Sequence, residues 1–378
     1  MNYWQRNYEV SSQALTLNNV NTIDLPNAGL LGSLLIRLSG SEASAQGQGG
    51  GAWRLIDYIS KIEIIANAST IIKSFSGLIG HALTTIDQGV MTPARWMNYA
   101  TGTQWDWLII NFGRRLFDPE YLLDLSKYDK VQVKITNNAS SATWGDITAA
   151  LIGLYLKNPE TAPVSRGYLR TEEWKAWTTV AAQYVYSDLP TELLIRKILL
   201  QAVPSLDANY LNATGMHNLM DNIVLSLKTK DITVFNGSVQ ELMRENYFDL
   251  GRTLITGGAE YMTAGKGVDV GLGYVVAGAW GAGSSGSTGA STIPSLESAR
   301  TDHVQKPATY EADHPVNFIF AGIAPHECAW FRFDQDDNPD TWLDPDKYKT
   351  VKCDIHTRDS SGAASGTNKI ILDRLVRY

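Results

Sequence analysis

At 378 residues the chain exceeds one ordinary domain of ~150 residues, so two or three domains are expected. Hydrophobic residues make up 44% and charged residues 19%, which supplies a real core and excludes a disordered chain. A formal net charge of -7 excludes the basic stripe of a nucleic-acid-binding domain and the polybasic face of a membrane-surface protein.

The opening segment, Met1-Asn-Tyr-Trp-Gln-Arg-Asn-Tyr8, lacks the apolar run that secretion requires, so a soluble protein without an export address is expected. Tyr3, Trp4 and Tyr8 flank Arg6 with no strand pattern, which leaves an arm or a frayed terminus open. Branched and aromatic residues then predict strands over 34–38 and 53–65. A short helix is expected over 119–125, followed by Val131-Gln-Val-Lys-Ile-Thr136, which alternates strictly as a half-buried strand does. Further helices are expected over 171–182 and 238–245, and strands over 193–202, 223–235 and 316–320. Val351-Lys-Cys-Asp-Ile-His356 repeats the strict alternation. The longest apolar runs, 147–156 and 271–283, reach about half of the ~20 residues that span a bilayer. The chain reads as all-β with a few short helices.

An internal repeat organises these strands. Pro119-Glu-Tyr-Leu-Leu-Asp-Leu-Ser-Lys-Tyr-Asp-Lys-Val-Gln-Val-Lys-Ile135 aligns with Pro339-Asp-Thr-Trp-Leu-Asp-Pro-Asp-Lys-Tyr-Lys-Thr-Val-Lys-Cys-Asp-Ile355 at an offset of roughly 220. Continued without a gap, the register places 150–156 over 370–376. Val131 should therefore match Val351, and Ile135 should match Ile355, as core, with Lys134 and Asp354 facing outward. Upstream, Leu25-Pro26 matches Leu189-Pro190, and the turn Asn67-Ala-Ser69 matches Asn236-Gly-Ser238. The second copy is then longer by about 51 residues, where a Gly-rich loop over about 257–310 is expected as a surface insertion. The expected domains are 10–158 and 185–378, joined by a linker over 159–184.

The paired Leu-Pro starts, the paired Asn-x-Ser turns and the closing blocks at Pro119 and Pro339 carry a resemblance over nearly the whole chain. The chain resembles the double jelly-roll major capsid proteins of icosahedral viruses, the lineage of adenovirus hexon and of membrane-containing tailless phages and archaeal viruses. The resemblance implies two tandem eight-stranded antiparallel jelly rolls, each a sandwich of two Greek keys. It implies a homotrimer whose six barrels make a pseudo-hexameric capsomer. It also implies neighbouring capsomers and minor capsid proteins such as penton or spike as partners, and an amino-terminal arm reaching an internal viral membrane. The location implied is the virion, with synthesis in the host cytoplasm.

Chemical motifs are weak. Asp334-Gln-Asp336-Asp-Asn338-Pro-Asp340 has alternating oxygen ligands but Pro339 where a calcium loop needs Gly, so a solvated acidic turn is favoured. Residues 257–267 lack phosphate-loop spacing, and Gly271-Leu-Gly273 lacks a third glycine and a βαβ context. Histidines 81, 217, 303, 314, 326 and 356 are scattered, and Cys353 sits at an apolar strand position as a buried thiol. Two cysteines, Cys328 and Cys353, make no disulfide framework. No catalytic, cofactor-binding or metal residue is assigned, and neither activity nor a cofactor is expected. The competing readings are a tandem jelly-roll glycoside hydrolase using Trp105, Asp106, Trp107 and the acidic turn, and a carbohydrate-binding spike protein.

Overall fold

A computed structural model describes all residues except 1, 44–53, 91–92, 96–101, 159, 161–162, 205–215, 251–253, 263–266, 270–274, 283–302, 306–313, 323, 336 and 359–365. The first half contains β1 (Tyr3–Ala14), β2 (Val20–Asp24), β3 (Leu30–Glu42), β4 (Ile59–Ala66) and β5 (Thr70–Phe75). Helix α1 (Gly77–Gln88) follows, then β6 (Ala94–Arg95), β7 (Thr103–Asn111), β8 (Leu123–Asp124), β9 (Val131–Asn137) and β10 (Trp144–Lys157). Two sheets, β1-β10-β3-β7 and β2-β9-β4-β5, face each other with the strand order of an eight-stranded jelly roll. The short β6 extends the first sheet, and β8 pairs with β3.

The second half repeats the plan. It contains β11 (Gly167–Thr178), β12 (Tyr184–Val185), β13 (Leu194–Pro204), β14 (Met220–Leu227), β15 (Ile232–Ser238) and α2 (Val239–Leu250). An insertion holds β16 (Leu254–Met262), β17 (Gly267–Asp269), β18 (Val275–Ala282), β19 (His303–Gln305) and β20 (His314–Gly322). The barrel resumes with β21 (Cys328–Arg332), the one-turn α3 (Pro345–Tyr348), β22 (Val351–Thr357) and β23 (Gly366–Arg377). Its sheets are β11-β23-β13-β21 and β12-β22-β14-β15, so both barrels show the expected jelly-roll plan. The barrels share a continuous sheet: β5 pairs in parallel with β11, with Lys73 opposite Thr171 and Ser74 opposite Glu172.

Each barrel has its own core. Ile62, Ile64, Val131, Val133, Ile135 and Leu151 belong to the first, and Ile223, Leu225, Val351, Cys353, Ile355 and Leu372 to the second. Fully burying one such side chain contributes about 1.5–3 kcal/mol, which fixes strand register as well as stability. The first core also takes Leu199, Trp330 and Ile371 from the outer face of the second barrel.

Several expectations are corrected. The amino-terminal segment is no free arm: β1 pairs along β10, so the first barrel starts ahead of residue 10. Residues 167–178 of the expected linker, and with them most of the helix placed over 171–182, are β11, held between β5 and β23. Its Glu172 and Glu173 pair across the strands with Arg374 and Lys369, and this charge pattern imitates helical spacing. Residues 119–125 form no helix beyond the start of a 3-10 turn at Leu125–Lys127, and 223–235 is two strands. Val131, Ile135, Val351 and Ile355 are core as expected, and Asp354 lies on the outer face as expected, though covered there and 3.4 Å from Lys230. The gapless register fails after β9. Leu151 faces its own barrel's core, whereas Ile371 faces out of its barrel into the first core, because a register slip of one residue inverts a strand's faces.

The Asn-x-Ser pair is not structurally equivalent either. Asn67 and Ala68 make the β4–β5 turn at positive φ, whereas Ser238 caps α2, its Oγ accepting from Glu241 N at 3.2 Å. The β14–β15 turn is Lys228-Thr229-Lys230. The expected Gly-rich loop carries backbone strands, β16-β20-β18 in one sheet and β17 with β19 in another, and its stretch 283–302 lies outside the described residues.

Candidate functional site

A set of buried charged groups converges where the barrels meet. Arg196 and Lys197 sit on β13 and are 2% and 1% exposed, a burial that charged groups tolerate only with partners. Arg196 Nε donates to Asp334 Oδ2 at 2.7 Å, and its Nη2 donates to the Arg114 carbonyl at 2.6 Å. Its Nη1 lies 3.3 Å from both Asp87 of α1 and Asp373 of β23. Lys197 pairs with the same Asp87. Lys73 Nζ donates to Thr171 Oγ1 at 2.7 Å, and that hydroxyl donates to Asp373 Oδ1 at 2.7 Å, so the chain crosses the β5–β11 joint. Three cations face three carboxylates, and the set is balanced.

The titration shifts follow from this geometry. Burial pushes the Asp87 carboxyl up, but Lys197 and Arg196 outweigh it and hold it below its ordinary range. Burial lowers Lys73 to about 8 against the opposing pull of Asp373 and Asp87. Beside the network, His326 Nε2 and His81 Nδ1 are 2.8 Å apart, and burial with the Arg54 charge lowers His81 to about 3.

The loops after β7 and β21 close the seam on one side. Arg114 binds Asp118 at 2.7 Å and Glu120 at 2.8 Å, and donates to the carbonyl of Asp337. Arg115 pairs with Asp337 at 2.8 Å. Tyr121 and Trp342 bring their rings within 6.1 Å, packed with Leu169 and Leu375. This arrangement ties the two barrels together through ion pairs and hydrogen bonds.

The residues singled out from sequence are thereby placed. Asp334 is buried and engaged by Arg196 and by Trp342 Nε1 at 2.9 Å, so it is part of the seam rather than a solvated turn. Asn338 caps a 3-10 turn by accepting from Asp340 N. Among the described residues no three His, Cys, Asp or Glu groups converge to hold a metal. Trp105 and Trp107 are half-buried on the outer face of β7, while Asp106 between them is buried on the opposite face, so the three do not line one cleft as the competing hydrolase reading required. Burial pushes the Cys353 thiol up to about 12 and raises Cys328 as well. Residues 263–266 and 270–274 of the glycine motifs lie outside the described residues. On the outer face of the β12-β22-β14-β15 sheet, stacked Tyr184 and Tyr186 with His356, Lys230 and Asp354 line a cleft of about 240 Å³.

The seam residues Lys73, Asp87, Arg196 and Lys197 escape sequence reasoning. The available signal is Arg196-Lys197 inside the apolar run 193–202, two adjacent cations that an irregularity of the strand brings to the same Asp87.

The two-barrel arrangement and its seam allow comparison with solved structures. The major capsid protein of Sulfolobus Turreted Icosahedral Virus (STIV MCP) matches with a TM-score of 0.62 at 9% identity, over 98% of this chain and 96% of that one. The fold is a double jelly roll. The capsid of virus PBCV-1 matches with a TM-score of 0.58 at 8% identity, over 99% and 94% of the two chains. The major capsid protein P2 of bacteriophage PM2 gives 0.52 at 8% identity, over 99% and 98%. No family model and no curated protein matches the sequence. At such identities the double jelly roll is preserved through core pattern and topology, with side chains almost wholly replaced.

Proposed function

We propose that this protein is the major capsid protein of an icosahedral, tailless virus, and that three copies form a pseudo-hexameric capsomer. The observation that carries the reading is the end-to-end match of both barrels to STIV MCP, over 98% of this chain and 96% of that one. Two like barrels per chain place six around a threefold axis, which tiles a facet from one gene product. The role is structural and non-enzymatic, in the virion, with assembly following synthesis in the host cytoplasm. Neighbouring capsomers and minor capsid proteins such as penton or spike are the remaining partners. Membrane contact through a free amino-terminal arm is dropped from the proposal, because Tyr3–Ala14 is a strand of the first barrel.

Sedimentation equilibrium of the purified chain tests the reading. A mass three times the chain's 41.6 kDa supports it. A monomer at every concentration, including near-neutral pH and moderate salt, contradicts it.

A further inference from the structure

Among the described residues the chain makes one barrel-to-barrel interface internally and leaves the matching pair of surfaces open. Across the outer face of the second barrel, strand pairing sets Glu173, Ile371, Leu199 and Trp330 in one row. The first barrel covers that row: Ile371, Leu199 and Trp330 are at most 1% exposed and belong to its core. The same row on the first barrel is Tyr8, Ile152, Leu35 and Ile109. There Tyr8 is 66% exposed, and Leu35 and Ile109 are half-buried.

The covering elements are also duplicated. Within the chain, β5 pairs in parallel with β11 while α1 brings Ile86 into the shared core and Asp87 to Arg196 and Lys197. The counterparts in the second barrel are β15 and α2. Their register is set by a matching contact. Thr84 bonds both the N–H and the carbonyl of Ile109, and Asn246 bonds both groups of Trp330. Phe248 therefore stands on α2 where Ile86 stands on α1, yet Phe248 is 78% exposed and Ile86 only 4%. Strand β15 ends its sheet and exposes Ile232 and Val234. Strand β1 ends the opposite sheet. Unpaired edges with apolar side chains call for a partner.

We propose that β15 and α2 of one copy dock on β1 and the outer face of the first barrel of a second copy, repeating the internal interface. Lys73 pairs with Ile64 as Phe235 pairs with Leu225, and Thr171 pairs with Asp373 as Arg6 pairs with Leu154. The inter-copy ladder is thus parallel, with Phe235 opposite Arg6 and Asn236 opposite Asn7. Phe248 closes over Ile152, Leu35 and Ile109. The contact is heterologous, so its repetition makes a ring, and closure at three copies rests on the capsomer reading.

The test is a disulfide trap in the full chain, whose own Cys328 and Cys353 are buried. Asn7→Cys with Asn236→Cys brings Cα atoms to roughly 5 Å, within disulfide reach. Asn7→Cys with Ile232→Cys is out of register by roughly 13 Å and serves as the control. After mild oxidation the first pair should give covalent two- and three-chain species on a non-reducing gel, and the control should not. Phe248→Glu, at an exposed position, should keep the monomer's melting temperature and weaken assembly at least about tenfold. If light scattering finds trimers while the Asn7/Asn236 pair stays reduced, the docking surface is wrong and the capsomer reading survives. If the chain stays monomeric, the capsomer reading fails and takes this partner with it.

Discussion

His326 Nε2 lies 2.8 Å from His81 Nδ1, so two imidazoles share one hydrogen bond in the buried joint between the barrels. One ring must donate and the other accept, which requires both to be uncharged or only one to be protonated. Burial lowers both, with the Arg54 charge adding to the effect on each and the His81 ring opposing protonation of His326. The unfolded chain then binds protons first as pH falls below the ordinary histidine value near 6.5. Stability contributed by neutral His81 is complete above that pH and declines toward its folded value of about 3. Between pH 6.5 and 4 the loss is about 3 kcal/mol. Asp87 and Asp118, held low by their cations, contribute a further loss on the acid side as they take up protons. Urea titrations from pH 8 to 4 should show a shallower acid slope for His81→Gln than for the wild type. Equal slopes would remove the histidine pair from the account.

Arg196 should be among the least replaceable surface-unlike polar residues. Arg196→Met takes the guanidinium charge from Asp334, Asp373 and, in part, Asp87 in the seam, and is expected to cost about 3–5 kcal/mol. Lys61→Met removes a cation that is 45% exposed beside Glu63 and should change stability by less than about 1 kcal/mol. Chemical denaturation of the two variants side by side measures the contrast, and comparable losses would show that the seam is not a stability element.

Gly167 opens β11 at φ +148°, and a Cβ there would stand 2.1 Å from the Val376 carbonyl oxygen. Gly167→Ala should therefore destabilise by more than about 2 kcal/mol, through backbone strain at the start of the second barrel. Gly145→Ala, whose Cβ would meet only ordinary contacts at 3.4 Å and beyond, should stay within about 0.5 kcal/mol. Thermal melts distinguish the two, and a near-neutral Gly167→Ala would contradict the local geometry.

The duplication was legible where a strand buries one face only. Val131 to Ile135 and Val351 to Ile355 alternate because each lies inside a sheet with one face on its core. Strand β1 was not legible, since it lies at an edge and its residues are exposed or half-buried throughout. Strand β11 was masked by charges such as Glu172 and Glu173, which find Arg374 and Lys369 in β23, a contact distant in sequence. Helix α1 has no polar stripe to reveal it, because His81, Thr84 and Thr85 are as buried as Ile79 and Leu83. Its end signals were available in Ser76 and Gly89, which cap it. Asp334 was read as solvated because its partner, Arg196, is supplied by a strand far upstream.

Electron microscopy of the isolated assembly tests the central claim most directly. Class averages viewed down the symmetry axis should show six lobes of nearly equal size in a pseudo-hexagonal outline, contributed by three chains. A two-lobed single chain, or a trimer with three lobes set apart rather than six in a ring, would contradict it.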